Sequence, residues 1–234
     1  TEHRLQPLLT RSLPGADIIT RTDPPAGRLM SDRVDYQIPI GDLGLHLRPD
    51  IASFGSAQPY LRADSKKTAK LRGRYNAESG ERPRIGLSWR SGADRAGIAR
   101  SLDNEALDRL LAIHDCWWLS LQYGDISANI SRLETGRLHV DRDVDPLRSL
   151  DALAAQIAGL DLVVSVANTT VHVAGALGVP TIALLPHVAD WRWMARGSQC
   201  HWYPSVRLLR QKQPGNWTSV LDEVEAELAA LKSC

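Results

Sequence analysis

From about residue 84 onward, apolar runs of strand length alternate with segments of helical period, the pattern of βαβ units and a parallel sheet. Residues 84–89 (RIGLSW) predict the first strand. A polar, glycine-containing loop over 90–100 then leads to a helix over 104–113, with Ser101 or Asp103 as its N-cap. Residues 117–122 predict a second strand closed by Tyr123-Gly124-Asp125, and 137–140 a shorter one. Pro146 stands where a first helical turn tolerates it, Leu147, Leu150, Leu153, Ala154 and Ile157 recur at helical spacing, and Gly159 is the stop. Residues 162–166 and 181–185 are β-branched and nearly all apolar, as strands buried on both faces are. The tail over 216–231 is amphipathic, with Val220, Val224, Leu228 and Leu231 in one stripe.

The first 65 residues follow no such rhythm. Residues 5–13 read as helix, 17–20 as a short strand, and 34–40 as a strand among prolines and glycines. Residues 66–82 are charged and contain Gly73 and Gly80, the character of a partly helical linker. The expected fold class is therefore α/β: a Rossmann-like parallel-sheet domain over 84–234, a linker over 66–83, and a partial α/β region over 1–65. There are no internal repeats and no low-complexity tract.

Composition narrows the setting. The chain has 234 residues, 43% of them hydrophobic, enough for one large core or two smaller ones. Twenty-eight basic residues against 27 acidic ones leave a formal charge of +1, so no global field favours nucleic acid or an anionic membrane. Cys116, Cys200 and Cys234 are scattered without CxxC spacing, which points to a reducing compartment rather than a disulfide frame or zinc site. No apolar run approaches the roughly 18 residues that span a bilayer, and no signal-peptide core opens the chain. The expected location is cytoplasmic. The opening TEHRLQPLL, without Met, reads as that of a fragment or processed product.

The candidate chemistry centres on SVANTTVHVAGALGVPTIALLP, residues 165–186, where a polar triplet separates two strand-like runs. Parallel α/β sheets bind ligands outside the carboxyl ends of their strands, where loops feed helix N-termini. Asn168-Thr169-Thr170 opens a helix there, offering terminal N–H groups, a positive dipole end and two hydroxyls: a place for a diphosphate. Asn168 or Thr169 also reads as a plain N-cap, and His172 either contacts a ligand or holds the loop. Ala174, Gly175 and Ala176 let the helix lie close on the sheet. Trp89, Arg90, Ser91 and Gly92 follow the first strand, with Arg95 and Arg100 in the same loop; guanidinium groups suit phosphate oxygens. Gln122 and Tyr123 end the second strand, where they flank a base or ribose, or form an ordinary turn. The aromatic stretch from Asp190-Trp191-Arg192-Trp193 to Tyr203 either closes over a sugar or packs the C-terminal helix on the sheet.

Several motifs are missing. No GxGxxG follows a strand, and GxxxxGK[ST], GxSxG and HExxH are absent. The seven histidines are dispersed, so no metal is expected. Asn168-Thr169-Thr170 and Asn216-Trp217-Thr218 match the glycan acceptor pattern, which is idle in a cytoplasmic chain.

The ordered set RIGLSWRSG, ARSLD, WLSLQYGD, DLVVSVANTTVHVAGALGVPTIALLP, DWRWM, HWYPSVRLLRQ and GNW resembles the C-terminal part of bacterial TPR-linked glycosyltransferase-like proteins. These are related to the heptosyltransferases (glycosyltransferase family 9) and, more distantly, to the O-GlcNAc transferases. VDYQIPIGDL and PYLRAD resemble the close of the family's N-terminal domain. The resemblance implies a GT-B architecture of two facing Rossmann-like domains, with residues 1–65 the end of the first. It implies that Asn168, Thr169 and Thr170 cradle the diphosphate of a UDP-, ADP- or GDP-linked sugar, that Arg100 serves the phosphates, that Gln122 and Tyr123 lie near the nucleoside, and that His172 matches the family histidine. It further implies inverting transfer without an essential metal or other cofactor, to an acceptor glycan, lipid or protein that the sequence does not name. Where heptosyltransferase-like members carry Asp-Thr, this chain has Ala167-Asn168. That departure, and the short N-terminal region, keep one alternative, a catalytically degenerate sugar-nucleotide-binding or interaction module; a further one, a GT-B-fold sugar-nucleotide epimerase, needs acid and base residues flanking the sugar, and the candidate loops hold no convincing carboxylate pair. No residue is assigned as the catalytic base.

Overall fold

The computed structural model describes residues 1–30, 34–92, 94–126 and 136–231, with backbone alone at 94–96. Six strands form one sheet: β1 (Arg84–Ser88), β2 (Trp117–Ser120), β3 (Leu138–His139), β4 (Leu162–Val166), β5 (Thr181–Leu185) and β6 (Val206–Arg210). All are parallel, in the order β3-β2-β1-β4-β5-β6. This is a doubly wound Rossmann-like sheet, whose strand order reverses between β1 and β4. Those two strands register Gly86 on Val163, Leu87 on Val164 and Ser88 on Ser165.

Every residue of β1, β4 and β5 is buried, and successive residues feed opposite layers. On one face, Leu162, Val164, Val166, Ile182 and Leu184 meet helices α5 (Asn104–Leu111) and α8 (Thr218–Ala230) through Leu107, Leu110, Val220 and Val224. On the other, Val163 and, from β2, Trp117 and Leu119 meet α6 (Leu150–Ile157) and α7 (Thr169–Leu177) through Leu153, Ile157, Val173 and Ala174. Asp103, Ser149 and Asn168 cap α5, α6 and α7 by accepting from the N–H of Ala106, Ala152 and Thr170.

The N-terminal residues wrap this body. Helix α1 (Gln6–Ser12) buries Leu8 against α6, and α2 (Leu43–Leu47) lies on an extended strap. Residues 66–83, expected as a linker, are mostly α3 (Ser65–Ser79). Asp64 caps it, and Tyr75 enters the core against Trp117 with its hydroxyl on Asp141 at 2.5 Å. The loop expected over 90–100 contains α4 (Asp94–Arg100). The strands expected at 17–20 and 34–40 do not form: 34–39 has no regular secondary structure, and among the described residues no strand pairs with either segment. The strand β6 was not anticipated, because Arg207 and Arg210 interrupt its apolar run. Leu231, expected on the buried stripe of the last helix, is exposed at its end.

Two glycines fix α7. A Cβ on Gly175 would stand 2.5 Å from Tyr203 Cγ, so the ring can lie against the helix only over glycine. Gly178 ends the helix in the left-handed region at φ 77°. The carbonyl of Ala176 then accepts from the N–H groups of both Tyr60 and Leu61, at 2.9 Å each, tying the strap to the body.

Candidate functional site at the switch point

The crevice between the carboxyl ends of β1 and β4 is built by two amide side chains. Asn168 extends off β4 and accepts from the Thr170 N–H at 2.9 Å and the Ser165 hydroxyl at 3.2 Å. Its Nδ2 donates across the crevice to Ser88 Oγ at 2.8 Å and to the Arg90 carbonyl at 3.1 Å. Gln122 does the same from β2: its Oε1 accepts from the N–H groups of Trp89 and Arg90, at 3.0 and 2.8 Å, while Nε2 donates to the Arg90 carbonyl at 3.0 Å. Both amides are buried. Their polar atoms hold the loop after β1 in place, a role that needs their geometry and leaves little for a ligand.

The other expected residues divide. Trp89 is buried in the core with Leu102 and Leu107, so its indole is a packing group and it faces the crevice through backbone alone. Tyr123 accepts from the Gly92 N–H at 2.9 Å, and Arg90 Nη2 donates to the Asp125 carbonyl at 2.7 Å, so the loop after β1 is joined to the loop after β2 by two hydrogen bonds. Thr169 is exposed at the first turn of α7. Thr170 is fully buried, and its hydroxyl has no hydrogen-bond partner among the described residues. Arg95's side chain, and Cys234, lie outside the described residues.

His172, one turn into α7, stacks on Trp193 with centroids 5.1 Å apart and an interplanar angle of 21°. Its Nδ1 shares a hydrogen bond with Tyr203 Oη at 3.2 Å. Burial, and then the Arg192 cation nearby, push its pKa down to about 4, so the imidazole is neutral at pH 7. Burial and the neighbouring Tyr60 raise that of Tyr203. Beyond β5, Asp190 accepts from Arg192 Nη1 at 2.8 Å, and Arg100 Nη2 lies 3.9 Å from its other oxygen. Burial of Asp190 works against ionisation, but the Arg192 hydrogen bonds and both cations win and hold its carboxyl below the ordinary range. Two guanidinium groups thus share one carboxylate beside α7, leaving a local positive excess. Asp190 and Arg192 as charged groups were missed, because DWRWM advertises its indoles first.

The aromatic stretch does not pack the C-terminal helix: Trp193 joins a cluster with Val171, Leu185 and Leu208, separate from the one that holds α8. Trp193 is buried beneath His172, Trp191 stands exposed with Arg192 4.6 Å above its ring, and Trp217, buried, anchors α8. Among the described residues no three His, Cys, Asp or Glu side chains meet as a metal site, and no helix is long and apolar enough to cross a membrane.

The sheet order defines a mixed α/β protein with a Rossmann-like fold of the kind seen in a solved heptosyltransferase. The solved structure of E. coli ADP-heptose lipopolysaccharide heptosyltransferase II superposes with a TM-score of 0.50 at 18% identity, over 77% of this chain and 57% of that one. E. coli heptosyltransferase WaaC with ADP gives a TM-score of 0.48 at 19% identity, over 75% of this chain and 53% of that one. In sequence, the chain is 31% identical over 241 residues to protein FlbA of Caulobacter vibrioides, covering 97% of this chain. It spans 40% of that relative's length. No family model matches the chain.

Proposed function

We propose that this chain is the donor-binding part of a GT-B glycosyltransferase, holding a nucleotide-diphosphate sugar at the N-terminus of α7. The observation that carries this reading is the placement of that helix end at the β1/β4 switch point, with the Arg100–Asp190–Arg192 cluster following the neighbouring strand β5. The first turn of a helix presents N–H donors and about half a positive charge. A diphosphate there accepts from the N–H and the hydroxyl of Thr169, the exposed residue of the first turn, and the arginines share its charge with Asp190. Gly92, Tyr123 and the Arg90 backbone flank the nucleoside in this reading, while Asn168 and Gln122 position their carbonyls and amides. The E. coli neighbours, described as an ADP-heptose enzyme and as an ADP complex, support a nucleotide-sugar ligand for the fold.

Transfer would be inverting: the acceptor oxygen attacks the anomeric carbon as the bond to the diphosphate breaks, and the positive helix end and guanidinium groups stabilise the departing oxygens without a metal. Residues 1–65 belong, in this reading, to the close of a facing domain, within a TPR-linked, cytoplasmic protein. A second reading, binding without turnover, is favoured by Asp190, whose carboxylate is already committed to two arginines.

A thermal-shift titration with UDP, ADP, GDP and their common sugar conjugates tests both. One base is expected to give a saturable rise, since a ligand of the native state alone stabilises it. The Thr169→Val/Thr170→Val double variant should weaken that ligand on the order of tenfold, in keeping with hydrogen bonds to a charged group. Unchanged affinity in the double variant removes the site assignment. Binding with neither transfer nor hydrolysis of the sugar nucleotide selects the second reading.

A further inference from the structure

Between α2 and the aromatic stretch after β5 lies a cavity of about 480 Å³. Trp191, Trp202 and Tyr203 supply its rings, and His172 joins it to the N-terminus of α7. The rings are braced: Trp202 meets Phe54 edge-on at 4.7 Å and Trp191 at 6.1 Å. The charged groups lining it are Arg48 and Arg192, and no described carboxylate lines it. Arg192 is already paired with Asp190. Arg48 differs: its Nη1 donates to the Leu47 carbonyl at 2.7 Å and its guanidinium lies 5.8 Å from the Phe54 centroid, but no described carboxylate lies within ion-pair distance. Indole rings beside a cation without a counter-charge suit a ligand that is flat and CH-rich on one side and anionic at one edge.

We propose that this cavity binds a sugar ring bearing a carboxylate, with the ring's apolar face on the indoles and the carboxylate toward Arg48. A neutral sugar leaves the guanidinium unmatched, and a purely apolar ligand strips water from it without replacement. The proposal rests on the donor-site reading only for its setting: if a nucleotide sugar binds at α7, the cavity takes either its glycosyl group or an acidic acceptor sugar.

The test is ligand-observed saturation-transfer NMR on the intact chain with D-glucuronate, its methyl ester and D-glucose, each up to about 20 mM, a weak-binding range. Glucuronate is expected to bind at least about tenfold more tightly than ester or glucose, as a charge-assisted pair requires. Arg48→Gln should abolish that preference and Trp191→Leu should weaken all binding; both side chains are exposed, so neither variant threatens folding. No glucuronate signal, equal binding of the ester, or a preference that survives Arg48→Gln overturns the proposal. UDP, ADP and GDP added alone report on α7 separately: if none binds while glucuronate does, the donor reading fails and this one stands. Displacement of glucuronate by a nucleotide-linked glucuronate, and not by the bare nucleotide, makes it the donor's sugar. Persistence makes it the acceptor's.

Discussion

Two stretches of the chain carry apolar residues in strand-like patterns, and only one becomes a strand. Residues 162–166 lie between β1 and β5 with every side chain buried. Residues 34–38 alternate Val34, Tyr36 and Ile38 with polar positions, yet all three are exposed, Tyr36 at 93%. The difference is a neighbour, not a propensity: backbone groups need a partner strand and side chains need a covering layer. The strap around α2 extends the contrast, since Ile40, Leu45 and Leu47 also stand in the open. It is tied to the body through the Ala176 carbonyl and, at Arg62, through the Ser12 hydroxyl, while the helices on either side of it in the chain share the Asp151 carboxylate, which is clamped between Arg11 of α1 and Lys67 of α3.

The contrast is broken most strongly by matched truncations. Leu87→Ala, in β1 with no exposed surface, should cost about 2–5 kcal/mol. Leu45→Ala on the strap should stay within about 0.5 kcal/mol. Urea denaturation measures both, and similar losses would mean that the strap is packed as firmly as the sheet.

Next comes the crevice. Asn168→Asp keeps the shape and the cap to Thr170 but turns an oxygen toward the Arg90 carbonyl, where Nδ2 now donates. Burying that unmatched acceptor should cost about 2–3 kcal/mol. A variant as stable as the parent at pH 7 would show that the amide is not what joins β1 to β4.

The smallest effect is the clamp. Burial opposes ionisation of Asp151, but hydrogen bonds from Arg11 and Lys67 hold its folded pKa below the ordinary aspartate value of 3.8. Its contribution is therefore complete above that value and is lost as pH falls through the folded one. Asp151→Asn should lower stability at pH 7 by about 1–2 kcal/mol, the cations being partly exposed. The difference should narrow below pH 3.8. A gap that is constant from pH 7 to pH 2 would place the titration elsewhere.

What was legible in the chain follows the same division. The apolar runs 162–166 and 181–185 read as strands because burial on both faces leaves a mark in one dimension. The helix start at Asn168 read as a polar triplet. Tyr75 gave no such mark: α3 is rich in charge and carries no apolar stripe, so its buried face is held by Tyr75 and Ser79 with Leu71 partly covered beside them. The double duty of Asn168 and Gln122 was invisible for another reason. It depends on β1 lying between β2 and β4, a fact of strand order that no local pattern carries. Asp190 and Arg192 join the site for the same reason, since β5 lies next to β4.

The central claim is that an anion sits on the first turn of α7 at the switch point. Backbone amide NMR of the intact chain, titrated with UDP, ADP and GDP, tests it most directly. The account predicts that the base that binds shifts the amides of Thr169, Thr170 and Val171 most, with smaller changes at Gly92 and Tyr123. A nucleotide that binds and moves residues elsewhere while leaving those three amides still would contradict it.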